Sequence, residues 1–247
     1  NPRVAQVAMY ATALKYSSKP VKGPGVSAGA EVRYIAKLLA AVVGGEKELR
    51  EKPRVIFNYS PTSPLVFPDE IVDVIFEIAR LGLPTGPMPV PMLGASSPIT
   101  IAGGIALANA ETLACIVLTS LIDPSTPVIY QPRLGPFDMR TGNSIWGNPE
   151  VGIGCAGLIE LANFYGLPSN TYGISTSAKT LDEQVGYEKM FNGLLPVLAG
   201  ATMMTSAGMV EDGLVASLAQ LVIDNEMFGM IRRAGEGITV DDNSLAL

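Results

Sequence analysis

The 247 residues contain no histidine. That absence removes Ser-His-Asp and Cys-His catalysis from the chain's own repertoire. It equally removes imidazole ligation of zinc, haem or a corrinoid. Cysteine is nearly as scarce. Cys115 and Cys155 stand forty residues apart, a spacing that fits no zinc motif. Two buried free thiols in a reducing compartment are expected instead, and no metal site is predicted. Charge is sparse too, at 16% of residues, and its balance of −6 leaves no basic footprint for nucleic acid. No signal peptide is seen at Asn1-Pro2. The sequon Asn58-Tyr59-Ser60 has no secretory context and is discounted, so a cytoplasmic protein is expected. Fixed-period repeats, low-complexity tracts and charge blocks are missing, and no linker divides the chain, so residues 1–247 read as one domain.

Hydrophobic residues are plentiful, at 48%. A chain this long and this apolar buries a sizeable core, and the surplus hints at an oligomer. The run Ile99 to Ile122 is apolar enough to suggest a membrane span, but it carries Asn109 and Glu111 in mid-run. A carboxylate at the centre of a lone span costs roughly 2.5–3.5 kcal/mol. A buried helix and no membrane are therefore predicted.

Short β-rich runs alternate with long helical ones. Val4 to Tyr16 reads as a helix, and Lys22 to Ala28 as a strand or loop. Ala30 to Glu51 reads as a helix, with Ile35, Leu38, Leu39, Val42 and Val43 at helical spacing. Strands are predicted at Arg54–Tyr59, Pro89–Leu93, Thr126–Tyr130, Asn170–Ile174 and Thr202–Ser206. Helices are predicted from Pro68 to Gly82, Thr100 to Ile122, Pro149 to Gly166, Leu181 to Gly200 and Gly213 to Ala234. Such alternation argues βαβ units and a parallel sheet. The pattern alone does not separate a barrel from an open doubly wound sheet. Six units can be counted where a closed barrel uses eight, so a segment missing upstream is expected.

Several local patterns bear on function. Gly152-Ile153-Gly154-Cys155-Ala156-Gly157 matches G-x-G-x-x-G, but it follows a helix start and no acid lies about 20 residues on. Close helix packing is the better reading. Gly94 to Thr100 forms a strand-to-helix turn whose free amides would suit a substrate carboxylate; the same residues serve equally as a capped helix start, with Ser97 or Thr100 as cap. Gln131 to Asn148 is a long polar loop with Arg133, Asp138, Arg140 and Trp146, and long loops in compact domains are usually functional. Asp138 and Arg140 also fit a surface ion pair. Tyr59, Tyr130 and Tyr172 fall at or near strand ends. They would face one mouth of a closed sheet, where aromatic rings attract quaternary ammonium groups by about 0.5–2 kcal/mol each. Glu211-Asp212 could serve the site or favour a helix N-terminus, and the second is the preferred reading. Asp224 and Glu226 lie inside an apolar helix pattern, Leu221 to Ile231; a buried carboxylate there needs a partner, with Arg232 or Arg233 as candidates.

The ordered set Leu65-Val66-Phe67-Pro68-Asp69-Glu70, Gly94-Ala95-Ser96-Ser97-Pro98-Ile99-Thr100, Asn109-Ala110-Glu111-Thr112, Asp138-Met139-Arg140-Thr141-Gly142, Phe164-Tyr165-Gly166-Leu167-Pro168 and Val222-Ile223-Asp224-Asn225-Glu226 resembles the trimethylamine methyltransferase family. The resemblance implies an α/β barrel of TIM type, incomplete on its N-terminal side here. It implies transfer of a methyl group from a tertiary or quaternary amine to the cobalt of a corrinoid. A partner protein carries that corrinoid, so the lack of histidine is no obstacle. The archaeal trimethylamine enzymes of the family use pyrrolysine, which this sequence does not show; a quaternary amine such as glycine betaine is favoured. It leaves as a neutral amine and needs no general acid. Tyr59, Gly94, Ser97, Tyr130, Asp138 and Tyr172 are the expected substrate-binding residues, and no catalytic residue is assigned. Two rivals stand beside this reading: a barrel lyase or aldolase with Lys179 as Schiff-base residue, and a non-catalytic remnant of the barrel.

Overall fold

A computed structural model describes residues 4–246. In chain order its first elements are α1 (Ala5–Tyr16), β1 (Val21–Lys22), α2 (Gly29–Val43), α3 (Glu46–Glu51), β2 (Val55–Tyr59), α4 (Asp69–Leu81), β3 (Thr85–Pro87), β4 (Met92–Leu93) and α5 (Ile101–Ile122). They are followed by β5 (Gly135–Asp138), β6 (Asn143–Ser144), α6 (Pro149–Phe164), β7 (Asn170–Thr171), α7 (Glu183–Leu198), β8 (Met203–Met204), β9 (Met209–Val210), β10 (Val215–Ala216) and α8 (Leu218–Gly235).

The strand order decides what the pattern left open. β1, β2 and β3 are parallel neighbours in that sequence. Residues 127–130 continue the sheet through single bridges: Thr85 N donates to Pro127 O (3.0 Å) and Ile129 N to Thr85 O (2.9 Å). On the other side Tyr130 N donates to Pro168 O (2.8 Å) and Asn170 N to Tyr130 O (2.9 Å). β7 then pairs in parallel with β8. These five strands and the 127–130 run thus join one growing edge, while β4, β5 and β6 form a separate sheet and β9 and β10 a hairpin. A doubly wound sheet reverses its order at a switch point, and this ladder does not. Among the described residues β1 and β8 do not pair with each other, so the sheet is not closed.

Three boundaries depart from the sequence expectation. The helix predicted over 30–51 is broken by Gly44 (φ 103°) and Gly45 (φ 151°), values that end α2 and start α3 afresh. The strand predicted at Pro89–Leu93 is reduced to Met92–Leu93, and Thr85–Pro87 was not anticipated. Pro87, Pro89 and Pro91 supply no N–H, so the ladder there is interrupted. The predicted helix from Gly213 likewise begins only at Leu218, behind the β9–β10 hairpin, with Ser217 Oγ accepting from Gln220 N (3.2 Å).

Alternation along the strands sends one set of side chains to the helices. Val55, Phe57 and Tyr59 join Ile35, Leu39, Val74 and Ile78 in the largest core cluster. A fully buried Leu or Phe stabilises by about 1.5–3 kcal/mol. The glycines of the G-x-G-x-x-G run admit close neighbours, as expected: a Cβ would stand 2.9 Å from Asn192 at Gly152, 2.9 Å from Leu134 at Gly154 and 2.8 Å from Ile105 at Gly157. By length and composition α5 could cross a membrane. Its polar groups nonetheless have partners within the fold. Glu111 accepts from Ser63 Oγ and Leu65 N, both at 2.8 Å. Asn58 of the sequon is buried and bonded on both sides, unlike a glycosylated asparagine. Cys115 and Cys155 are buried free thiols.

Asp224 finds a different partner from the arginines expected. Its carboxylate meets Lys189 Nζ at 2.8 Å, with both side chains fully buried. It also accepts from Gly208 N (2.6 Å) and Gln220 Nε2 (2.7 Å). Removing one member of such a pair strands the other charge. Asp224→Ala should therefore cost about 3–5 kcal/mol in denaturant unfolding, whereas Arg232→Ala should stay within about 0.5 kcal/mol of wild type. Buried tyrosines give a second expectation. Burial pushes the Tyr10, Tyr59 and Tyr130 hydroxyls well above the usual tyrosine value. Their protonated state is shared by both forms at neutral pH; above about pH 10 only the unfolded chain releases those protons. Stability should fall as pH rises past that point, with tyrosinate absorbance appearing in step with loss of helix rather than before it.

Candidate active-site mouth

The parallel strands run in one direction, so the loops that follow them gather at one end, as in barrels whose sites lie at the C-terminal face. The inward-pointing set at that end is polar. Asn58 Nδ2 donates to Gly23 O (2.8 Å), and Asn58 Oδ1 accepts from Gln131 Nε2 (2.8 Å). Gln131 Nε2 also reaches Gly86 O. A Cβ at Gly86 would collide with the Gln131 amide, so glycine makes that approach possible. Arg133 NH1 donates to Asn170 O (2.8 Å), and NH2 to Asn170 Oδ1 and to Thr205 Oγ1 (3.3 Å). Lys22, at the end of β1, is half-buried. Burial, with the Arg133 charge adding, brings its ammonium down to about 8. Burial lowers Arg133 to about 10, so it stays charged at neutral pH.

The rim above this floor is aromatic and acidic. The Trp146 and Tyr172 rings lie 4.8 Å apart, and the Arg133 guanidinium stands 5.6 Å from the Tyr172 ring centre. Asp212 fastens three loops together: its Oδ1 accepts from Trp146 N (2.6 Å) and from Ser177 Oγ. Glu188 of α7 accepts from Thr176 Oγ1 (2.6 Å) and Ser177 N (2.9 Å). The segment after β8 is strained, with Ser206 (φ 86°), Glu211 (φ 50°) and Asp212 (φ 55°) in the left-handed region. Each such residue costs of order 1–3 kcal/mol and is held by its surroundings. Glu211-Asp212 therefore does not serve the helix start expected of it; Glu211 pairs with Lys179 (3.6 Å) and Asp212 ties the rim.

Of the six expected substrate-binding residues, the structure brings only Tyr172 to this mouth. Tyr59 and Tyr130 point the other way, into the helical layer, because alternation along each strand sends them outward while their neighbours Asn58 and Gln131 face inward. Tyr59 is packed in the core with Cys115, and Tyr130 OH donates to Asn109 Oδ1 (2.8 Å). Gly94 and Ser97 lie in a turn whose amides are satisfied internally. Ala95, Ser96 and Ser97 N all donate to Met92 O, and Gly94 N to Ser97 O. Asp138 caps its own hairpin, accepting from Arg140 N (2.9 Å) and Thr141 Oγ1 (2.9 Å), and these bonds hold its carboxyl below the usual range. Lys179 is exposed and paired with Glu211, not enclosed in the apolar pocket that activates Schiff-base lysines. The residues that sequence reasoning missed are Lys22, Asn58, Gln131 and Asn170, whereas it admits Asp212 as a site acid, behind the helix-start reading. Asn58 and Gln131 directly precede or follow the two misassigned tyrosines, so strict strand alternation was the available signal.

The fold is similar to a solved dihydropteroate synthase from Coxiella burnetii, a TIM-barrel protein, at TM-score 0.55 and 12% identity over 95% of this chain and 74% of that one. Residues 3–247 match the family model described as Trimethylamine methyltransferase (MTTB). A trimethylamine methyltransferase from Methanosarcina barkeri is 41% identical over 220 residues, 89% of this chain and 44% of the relative. One from Desulfitobacterium hafniense (strain DSM 10664 / DCB-2) is 40% identical over 223 residues, 90% of this chain and 45% of the relative. A glycine betaine methyltransferase from Desulfitobacterium hafniense (strain Y51) is 31% identical over 211 residues, 85% and 44% of the two chains. The chain spans less than half the length of these curated relatives. Asp212→Gly should release the rim without adding backbone strain: the single tryptophan, Trp146, is expected to shift its emission to the red, while Asp212→Asn, which keeps an acceptor, should not. Superimposable spectra for wild type and the glycine variant would remove Asp212 from this role. With the match running from residue 3 to 247, the chain belongs to the trimethylamine methyltransferase family.

Proposed function

We propose that this chain contributes to a methyltransferase that moves a methyl group from a quaternary or tertiary amine to the cobalt of a corrinoid held by a partner protein. On this reading residues 1–247 form one domain, six units of an α/β barrel, in a protein of the cytoplasm. The observation that carries it, beside family membership, is the mouth itself. The Trp146–Tyr172 ring pair and the Asp212 carboxylate meet over a polar floor, a setting that favours a methylated ammonium through ring quadrupoles and charge. Catalysis would then be a matter of orientation: the rim holds the ammonium, aims one methyl outward and excludes water.

The partner's cobalt, in its reduced nucleophilic state, supplies the methyl acceptor. The rim suits a broad apolar cap. The connections β2–α4, β4–α5, β5–β6, β7–α7 and β9–β10 each expose a large apolar side chain: Leu65, Ile99, Met139, Leu181 and Leu214. With no histidine, the chain itself would offer no imidazole to a bound cobalt. A second reading, carbonyl chemistry at a lysine, moves from Lys179 to Lys22, since Lys22 alone of the two is partly buried beside a second cation. Borohydride trapping of a carbonyl compound on Lys22 would favour it.

The test is methyl transfer from a panel of methylated amines to a purified corrinoid protein, followed by the cobalt spectrum. Transfer is expected for at least one amine. Trp146→Ala should raise the amine KM by about 2- to 30-fold, in line with the loss of one aromatic contact to a cation. Ile99→Glu with Leu214→Glu should raise the KM for the corrinoid protein and leave amine binding unchanged. Absence of transfer from every amine by a folded full-length protein would reject the proposal.

A further inference from the structure

One face of α7 supports the rim. Glu188 and Asn192 stand four residues apart on that helix, a spacing that puts side chains on the same side. Both meet the loop that holds Trp146. Asn192 Nδ2 donates to Trp146 O (3.3 Å) and to Gly147 O (3.2 Å), and Ser175 Oγ donates to Trp146 O (2.6 Å). Glu188 packs against Gly147, where a Cβ would collide with its carboxylate. Glycine at 147 lets the loop rest on the acid.

Backbone donors fix where the hydroxyl hydrogens point, because an amide N–H can only donate. Gly147 N donates to Ser177 Oγ (2.9 Å), so the Ser177 hydroxyl hydrogen goes to Asp212 Oδ1. Ala178 N donates to Thr176 Oγ1 (3.0 Å), so the Thr176 hydrogen goes to Glu188 Oε2 (2.6 Å). Glu188 Oε2 also accepts from Ser177 N (2.9 Å), and Oε1 from Gln184 Nε2 (2.8 Å). Two carboxylates therefore flank Ser177, one on its amide and one on its hydroxyl. Among the described residues no cation lies within ion-pair distance of either. Asp212 Oδ1 is filled by Ser177 and by Trp146 N (2.6 Å), whereas Oδ2 has no hydrogen-bond partner among the described residues. Burial raises the Tyr172 hydroxyl above its usual value and the Asp212 charge adds to that, which places this carboxylate on the Tyr172 side of the rim.

Glu188 makes no hydrogen bond to Asp212 itself. Its bonds set the turn at 176–177. That turn then receives Asp212 twice, through Ser177 Oγ and through Asp212 N donating to Thr176 O (2.9 Å). We infer that Glu188 is the positioning residue of the mouth: through Ser177 it holds Asp212 with Oδ1 engaged and Oδ2 open to the methylated ammonium beside Trp146 and Tyr172. This rests on the methyltransferase reading and deepens it. The acid that meets the cation is Asp212; the acid that places it is on a helix behind.

The test compares Glu188→Ala, Ser177→Ala, their double variant and Glu188→Gln in the full-length protein, by amine KM and by Trp146 emission without substrate. Glu188→Ala should raise the amine KM about 10-fold, the lower end of what a hydrogen bond to a charged group contributes. Its kcat and its KM for the corrinoid protein should stay within about 2-fold of wild type, the mark of lost amine binding rather than lost chemistry. Ser177→Ala should match it. The double variant should again lose about 10-fold in all, not about 100-fold, because residues acting through one link are not additive. Glu188→Gln keeps an acceptor for Ser177 N and Thr176 Oγ1 and should restore both KM and emission. Trp146 emission should move to the red in the alanine variants. If Glu188→Ala does not fold, Glu188→Asp, which withdraws the carboxylate by one methylene, should give the same changes at smaller size. Additive losses in the double variant, or wild-type KM and emission in Glu188→Ala or Glu188→Asp, overturn the inference. The two proposals fail separately. If the wild type transfers methyl groups from no amine, the methyltransferase reading falls, and the emission series still decides whether Glu188 acts through Ser177.

Discussion

Everything at the mouth depends on the parallel ladder and its two-residue alternation. Backbone bonds fix each strand between its neighbours, and the pleat then sends successive side chains to opposite faces. Val55, Phe57 and Tyr59 go to the helices, and Asn58 goes inward. Tyr130 goes to the helices, and Gln131 inward. A one-residue slip in either strand would bury the amides in the helical layer and expose the tyrosines. The register recorded between Phe57 and Thr85, and between Tyr130 and Ser169, is therefore what makes the inner face polar.

Upon that face the side chains reinforce one another in a chain of bonds. Gly23 holds Asn58, Asn58 holds Gln131, and Gln131 holds the backbone of Gly86. Farther along, Asn170 and Thr205 hold Arg133. The Gly23–Asn58, Gln131–Gly86 and Arg133–Asn170 links join neighbouring strands, while Asn58–Gln131 and Arg133–Thr205 reach across one strand, so the side chains tie the sheet together along its inner face. The rim has a different origin. It is built from loops and needs Asp212 to tie Trp146 to Ser177, in a segment with two successive left-handed residues. The buried Lys189–Asp224 pair anchors the start of that segment through Gly208 N. Strain at the rim is thus supported by a charged pair in the core between α7 and α8.

Much of the fold was legible. Apolar periodicity located the helices, and terminal signals such as Pro68, Gly82 and Pro149 placed their ends. The family likeness was legible as an ordered set of short motifs, and the match over residues 3–247 bears it out. The strands were harder. Prolines at 87, 89 and 91 broke one of them, and the 127–130 run makes only single bridges. The expected site residues were harder still. A tyrosine at a strand end suggests a ring at the mouth, yet a strand end has two faces, and the buried rings of Tyr59 and Tyr130 belong with the helices.

The sequence by itself determined which chemistry this chain cannot perform, since no fold can supply a missing imidazole. It also determined the βα rhythm and the glycine run that lets α6 approach its neighbours, because both depend on local residue size and period. Only the tertiary structure decided which polar residues meet. Lys22, Asn58, Arg133 and Asn170 lie far apart along the chain and share no local pattern. They converge because parallel pairing brings the ends of sequential strands side by side, and no local rule carries that distance.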